Sequence, residues 1–357
     1  MKRILSLVLS LALVIGLLPT GALAEGNVVA SGEVAEGVTW SLTSDGTLTI
    51  SGNGAIPDGS RPWSSHGSAI KIVIIENGIT SVGNTLFAGC YNIEEITTPM
   101  IPSYFLYGES HIYSGIQELY YHWNNATNFW SGNQLRKVTI TGDRPIGVYA
   151  FYRSPVQEVV IEGKVETIGG SAFSACSALQ RVVLPNTLTT VGDSAFSACG
   201  ALTTISFPDS VTSVGTFALS GTGLSTPVTM GQLTAIPTGT YYNCPNITTL
   251  AGIPRNFKSI GAQAFRSCTS LTVIEGLPET ITSIGNEAFA GCTNLTKAVF
   301  PNSLTSLGVT VFSGCTKLEE LSLPFMLGAT NQSRVGGLKS LFTTVFPDYD
   351  ITGDKYD

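Results

Sequence analysis

Cysteine is the residue type in this chain whose chemistry is easiest to test against its spacing. The seven cysteines are Cys90, Cys176, Cys199, Cys244, Cys268, Cys292 and Cys315. Thiolates bind zinc when several are close in sequence or lie near histidine. Successive cysteines here are 23 or more residues apart, with no Cys-x-x-Cys pair and no nearby histidine. The spacing therefore predicts no metal site and no cofactor.

A second candidate is a dense group of aromatic residues, nine of them between positions 104 and 130. Aromatic faces supply contact area at low entropic cost, which suits a platform for a sugar or a peptide. The predicted binding residues in this group are Tyr104, Tyr107, Tyr113, Tyr120, Tyr121, Trp123 and Trp130. The alternative is a local core that holds this segment against the rest of the protein. His111 and His122 lie in the same segment without the spacing of metal ligands.

Catalytic motifs are absent from the sequence. It contains no GxSxG elbow, P-loop, HExxH or dinucleotide fingerprint, and its carboxylates are scattered. We therefore predict no enzymatic activity, and keep a glycan-processing hydrolase with its site in the aromatic segment as an alternative. The formal net charge of −7 gives no electrostatic attraction to DNA, so a nucleic-acid partner is excluded.

The elements that must position these residues belong to an internal repeat. Its recurring phrase is Ala-Phe-x-x-Cys, whose aromatic residues are Phe87, Phe151, Phe173, Phe196, Phe217, Tyr241, Phe265, Phe289 and Phe312. After Phe151 the steps between them are 22, 23, 21, 24, 24, 24 and 23 residues. A period near 23 predicts a β-rich solenoid, in which each coil buries its apolar side chains against its neighbours.

Each repeat unit has three parts. A strand-like run such as residues 179–185 should send Val182 and Leu184 inward and Arg181 outward, and ends at a proline. A short element, Leu188-x-x-Val191-Gly192, follows, and its glycine suits a positive φ or a close backbone approach. The Ala-Phe-x-x-Cys phrase then forms a tight helical turn or an irregular corner that brings the chain back.

The repeat also bears on the cysteines, since each stands three residues after an aromatic residue of that phrase. Side chains at equivalent positions of stacked coils point in parallel, whereas a disulfide needs its two Cβ atoms turned toward each other. We predict buried free thiols, although export of the protein would favour disulfides.

The outward positions of the strand-like runs form the surface that a solenoid offers to partners. They are Lys137, Thr139, Glu158, Val160, Arg181, Val183, Thr204, Ser206, Thr249, Ala251, Val273, Glu275, Lys297, Val299, Glu320 and Ser322. The charged ones that we select as candidate binding residues are Arg181, Glu158, Glu275 and Lys297.

The two ends differ from the repeats. The first 24 residues have the pattern of a secretory signal peptide cleaved after Ala24, so no membrane insertion of the mature protein is expected. Residues 25–68 should form a cap and loop, with a β-hairpin at 39–52 around Asp45-Gly46. The solenoid is predicted at 69–345, with an aromatic-rich insert at 101–134. Residues 346–357 are predicted to be a tail, an incomplete repeat of a longer chain.

The pattern Leu-x-x-Ile/Val-x-Leu/Phe-Pro, Val/Leu-x-x-Ile/Val-Gly, Ala-Phe-x-x-Cys resembles the BspA-like leucine-rich repeat proteins of bacteria. The departures are Ser154 and Ser220 in place of cysteine, Tyr241 in place of phenylalanine, and Leu86 before Phe87. The resemblance implies a leucine-rich-repeat solenoid that is secreted or at the cell surface. It also implies adhesion to a host or matrix protein or a surface glycan. A structural spacer for a missing domain is the other alternative.

Overall fold

The computed structural model describes residues 26–324 apart from 58, 83–85, 88 and 100–133. Within these residues the chain winds as a solenoid of short parallel strands, with one 3-10 helix at Ser64–Ala69. Strands β1 to β20 cover, in order, Val28–Ala35, Val38–Thr43, Thr47–Gly52, Gly54–Ala55, Ile72–Ile75, Ile79–Ser81, Glu95–Thr98, Lys137–Ile140, Glu158–Ile161, Thr167–Ile168, Arg181–Val183, Thr190–Val191, Ser213–Val214, Ala235–Ile236, Ser259–Ile260, Val273–Ile274, Ser283–Ile284, Lys297–Val299, Ser306–Leu307 and Glu320–Ser322.

The predicted N-terminal hairpin is formed by β2 and β3, which pair antiparallel. Trp40 lies opposite Ile50 and Leu42 opposite Leu48, and all four side chains are buried. Strand β1 adds a third, largely exposed antiparallel strand that the sequence did not predict, because its burial does not alternate. Strand β3 then pairs in parallel with β5, so the hairpin continues directly into the solenoid sheet.

Two ladders of parallel strands run along the solenoid. The front ladder begins as one sheet in the order β1-β2-β3-β5-β7-β8-β9-β11, stops after β11, and resumes as β16-β18-β20. The back ladder consists of β10-β12-β13 and β14-β15-β17-β19. Register is constant from coil to coil, so that Ile96, Val138 and Val159 lie side by side in the core. We call the outward surface of the parallel front strands, β5 to β11 and β16 to β20, the strand face.

The aromatic residues of the corner phrase stack into a column inside the solenoid. Phe173 lies between Phe151 and Phe196, with ring centroids 4.9 and 5.3 Å apart. Toward the other end, the stacked rings are those of Tyr241, Phe265, Phe289 and Phe312. At the N-terminal end Trp63 stacks on Phe87 at 6.2 Å and contacts Trp40 edge to face. The cap therefore closes the column with two tryptophans.

Phe217, which the sequence predicted to belong to the column, lies outside it. The buried residue of the fifth corner is Leu219, and the half-buried Phe217 lies outside the core. The N–H of Phe196 donates to Ala218 O at 2.9 Å, as that of Phe173 does to Ala195 O, which aligns Leu219 with Phe196. From Phe151 on, the residues two before and two after each column residue have positive φ, and Phe217 (55°) and Gly221 (67°) occupy those positions. The sequence was misleading because Phe217 supplies the phenylalanine of the corner phrase two residues before Leu219, the residue that enters the column.

The same shift moves the cysteine-equivalent position from Ser220 to Thr222. Thr222 is fully buried, and its hydroxyl donates to Leu219 O at 2.8 Å within its own coil. Ser154, by contrast, does lie three residues after a column residue, as predicted, and is buried. The column steps become 23 and 22 residues on either side of Leu219.

Replacing Phe217 with serine, the residue found at the equivalent position 194, should change the free energy of unfolding by about 1 kcal/mol or less, as for a surface position. Its ring contacts Tyr242 edge to face at 5.8 Å and lies against the Gly239 backbone, and these outer contacts are lost. Urea denaturation followed by circular dichroism measures the change. A loss of about 3 kcal/mol or more would place Phe217 in the core after all.

Candidate binding surface

The strand face carries the outward side chains where the sequence predicted them. All sixteen positions given above are exposed or half-buried, and none is aromatic. Four charged residues form one column across the strands β7, β8, β9 and β11, because their registers coincide. In order along the solenoid they are Glu95, Lys137, Glu158 and Arg181.

The charges in this column alternate in sign, and cross-strand ion pairs hold them. Arg181 pairs with Glu158, which brings together two of the predicted site residues. Arg136, just before β8, reaches Glu94 at 2.8 Å and Glu95 at 3.2 Å. Exposed ion pairs of this kind contribute about 0–1 kcal/mol each, so their main effect is to order the surface rather than to stabilise the fold.

The second part of the strand face repeats the arrangement on a smaller scale. Lys297 of β18 bridges to Glu320 of β20 at 3.0 Å. Glu275 is exposed directly after β16. Three coils without front strands separate Arg181 and Glu158 from Lys297 and Glu275, so the four predicted charges form two groups instead of one site.

The gap in the front ladder is a feature that the sequence did not reveal. Residues 201–206 contain no strand although they repeat the Leu-x-x-Ile-x-Phe-Pro pattern of their neighbours. Between them and β11 lies a groove of about 540 Å³. Val182 and Leu184, predicted to point into the core, are only half-buried at this groove. No residue pattern signals the gap, because the side chains on both sides are ordinary repeat residues.

The aromatic candidates cannot be placed in the same way. Tyr104, Tyr107, Tyr113, Tyr120, Tyr121, Trp123 and Trp130 all lie outside the described residues, as do His111 and His122. They stay predictions. Residues 99–136 connect β7 to β8, which are hydrogen-bonded neighbours in the sheet.

Other aromatic side chains lie on the outer surface of the corners, and the sequence analysis missed them. Tyr149 contacts Tyr152 edge to face at 5.6 Å. Phe217 contacts Tyr242 in the same way, and the Arg266 guanidinium lies 5.9 Å from the Tyr242 ring. Aligning the repeats on the buried alanine that precedes most column residues, Ala218 among them, would have assigned Phe217 to this outer position.

The seven cysteines are buried and free, as predicted. Six of them donate a hydrogen bond to the carbonyl of the column residue one coil earlier; Cys176 reaches Phe151 O at 2.9 Å and Cys268 reaches Tyr241 O at 3.2 Å. Burial raises the pKa of the Cys199 thiol to about 12 and that of Cys90 to about 11. The six hydrogen-bonded thiols therefore bridge coils. The raised pKa makes Cys199 and Cys90 poor nucleophiles at neutral pH, whereas the hydrogen bond with Cys292 lowers the pKa of the Cys315 thiol.

Thiol titration tests this arrangement. Since thiolate is the reactive form, the native protein at pH 8 should react slowly with Ellman's reagent, and all seven thiols should react after denaturation without reductant. Fewer than seven reactive groups after denaturation would indicate disulfides.

The pKa of the buried Cys199 thiol is raised from 9.0 in the folded state, so its stabilising contribution is complete below pH 9 and is lost as pH rises toward 12.

Within the described residues, no cluster of three histidine, cysteine, aspartate or glutamate side chains has the geometry to bind a metal ion. The same part of the chain includes no helix with the length and apolar character needed to span a bilayer. We take the strand face together with its groove as the candidate site.

The chain is similar to solved structures from three organisms. They are a leucine-rich repeat protein from Eubacterium ventriosum (22% identity, 86% of this chain and 99% of that one, TM-score 0.42), one from Bacteroides ovatus (21%, 85% and 94%, 0.36) and a leucine-rich cell surface protein from Faecalibacterium prausnitzii (18%, 87% and 98%, 0.31). No curated protein sequence matches the chain.

The family assignment rests on a sequence match that covers most of the protein. The BspA type leucine-rich repeat region matches residues 66–142, 144–252 and 234–349, in six copies. These ranges include the strands from β5 to β20 and every cysteine-bearing corner, and the N-terminal strands β1 to β4 precede them. The chain belongs to the BspA-type leucine-rich repeat family.

Proposed function

We propose that this protein is a secreted or cell-surface binding scaffold whose strand face holds a host or matrix protein, or a surface glycan. The observation that carries the proposal is the column of alternating charges from Glu95 to Arg181, held in fixed register by the parallel strands. A rigid, polar and nearly flat surface suits a broad contact with a large partner. The signal-peptide pattern of the first 24 residues supports export.

The character of the surface favours binding over catalysis. Several of its charges are paired, as Lys297 is with Glu320 and Arg181 with Glu158. Scaffold surfaces of this type reach useful affinity through area, with about 800 Å² buried per partner in a typical stable complex. These features support a binding role for the strand face.

Binding to immobilised fibronectin, collagen, laminin and a glycan array tests the proposal. We expect saturable binding of the wild-type protein to at least one of these ligands. The variants Thr139→Arg and Glu275→Arg, one on each part of the strand face, should weaken it at least tenfold. Lys258→Glu, exposed next to the back ladder, is the matched control and should leave it unchanged.

Two results would contradict the proposal. One is the absence of saturable binding to every ligand of the panel. The other is an equal loss of binding in the strand-face variants and in Lys258→Glu, with circular dichroism showing that all are folded.

A further inference from the structure

Strand β11 has one edge paired and one edge open. On the paired edge, the Arg181 N–H donates to Gln157 O of the preceding coil at 3.1 Å. Backbone groups of successive residues in a strand point to opposite edges. The N–H and C=O of Val182 therefore point away from β9, toward the next coil.

The next coil does not complete the ladder. Within the described residues, no backbone hydrogen bond joins 180–184 to 203–206. At the equivalent step in the second front sheet the bonds are made: the Thr296 N–H donates to Thr272 O at 2.9 Å, and the Glu319 N–H to Thr296 O at 2.9 Å. A strand edge with unpaired backbone donors and acceptors is a template for pairing with another chain, so this edge favours an added strand.

The groove beside this edge has the size and lining for such a strand. Its volume of about 540 Å³ is within the range of ligand-binding clefts, about 300–1,000 Å³. Val182 and Leu184 expose part of their side chains to it, and Ile205 lies across from them. Thr204 and Ser206 are exposed at its opposite wall.

The charge of the groove selects among possible occupants. Arg181 is the one charged residue among the ten that line it. Glu158 engages one nitrogen, NH1, of its guanidinium group, and guanidinium has five N–H donors, so donors remain for an incoming carboxylate. An acidic occupant is therefore complementary, and a basic one is disfavoured.

We propose that the groove binds an extended, acidic peptide segment of a partner protein, which adds a strand to the free edge of β11. The segment pairs its backbone with Val182, seats an apolar side chain over Val182 and Leu184, and places a carboxylate at Arg181. This mode of recognition obtains affinity from main-chain hydrogen bonds and specificity from alternate side chains. The inference deepens the proposed function, because it names a partner class for one part of the strand face.

Selection from a phage-displayed library of linear heptapeptides tests the proposal with the folded protein. We expect enriched peptides to alternate apolar and polar residues and to contain aspartate or glutamate. Ser206→Trp, which fills the groove, should reduce their binding at least tenfold. The matched control Ser213→Trp, exposed on β13 of the back ladder, should bind them like the wild type. Arg181→Gln should abolish the preference for acidic over amide-substituted peptides.

Hydrogen exchange gives a second readout that peptide binding elsewhere would not move. The Val182 amide should exchange rapidly in the free protein and at least tenfold more slowly with a selected peptide bound. The proposal is overturned if no peptide is enriched, if Ser206→Trp binds the peptides like the wild type, or if Val182 exchange is unchanged. Loss of glycan-array binding in Ser206→Trp without any enriched peptide would also overturn it, in favour of a sugar site.

These outcomes are separable from those of the adhesion test. Peptide binding that Ser206→Trp abolishes and Ser213→Trp leaves intact, while the matrix and glycan panel shows no saturable binding, would keep the groove and remove the proposed function. The reverse result, adhesion that Thr139→Arg weakens without any peptide at β11, would keep the function and remove the groove.

Discussion

Replacement of Phe265 by alanine should lower the free energy of unfolding by about 3–5 kcal/mol, the range for removing a buried phenylalanine. The ring is fully buried and stacks on both sides, 5.1 Å from Tyr241 and 5.5 Å from Phe289. The cavity cannot collapse easily, because the back ladder fixes the distance between these coils. Urea denaturation followed by circular dichroism measures the loss.

The same variant should change the cooperativity of unfolding. A solenoid is stabilised by contacts between neighbouring coils, so weakening one internal contact separates the parts on either side of it. We expect a broader or two-step transition for Phe265→Ala. Tyr242→Ala, at a half-buried position on the outer surface of the adjacent coil, is the control and should cost about 1 kcal/mol or less. A loss below about 1 kcal/mol for Phe265→Ala would contradict the stacked column.

Replacement of Gly192 by alanine should cost about 3 kcal/mol, at the upper end of the range for overpacking. A Cβ at this position would lie 2.5 Å from Gly170 N and 2.8 Å from Gly169 C, both backbone atoms that cannot rotate away. Gly192 does not have a positive φ, so the requirement is close approach between coils, one of the two reasons that its sequence position allowed. Thermal and urea denaturation measure the effect.

Gly200→Ala is the matched control for this prediction. No atom lies within 4 Å of a Cβ built at Gly200, and its φ is not positive. Alanine there should leave stability unchanged or raise it by about 0.4–1 kcal/mol through the unfolded state. Equal effects of the two substitutions would show that coil spacing does not depend on Gly192.

Much of the fold was predictable because its determinants are local or strictly repeated. The alternation of apolar residues fixes which side chains of a strand can enter the core, and Asp45-Gly46 fixes the hairpin turn. The cysteine position follows from its distance to the column residue in the same corner. Val38 to Ile50 and the repeats after Phe151 show these rules at work in the buried residues.

The errors and omissions occurred where a residue's place depends on the neighbouring coil. Phe217 matches the phenylalanine of the corner phrase. The hydrogen bond from the Phe196 N–H to Ala218 O, however, aligns Leu219 with the column. The half-burial of Val182 and Leu184 follows from the missing strand in the next coil, which has an ordinary repeat sequence.

The sequence by itself determined the period of the solenoid, the inward and outward faces of its strands, the capping hairpin and the free thiols. Only the tertiary structure decided that Glu158 pairs with Arg181, that Leu219 replaces an aromatic ring, and that the front ladder opens after β11. The physical reason is that side-chain direction is set by the local backbone, whereas contacts between residues one coil apart depend on how two coils stack. That stacking is a property of the assembled core, and no single repeat encodes it.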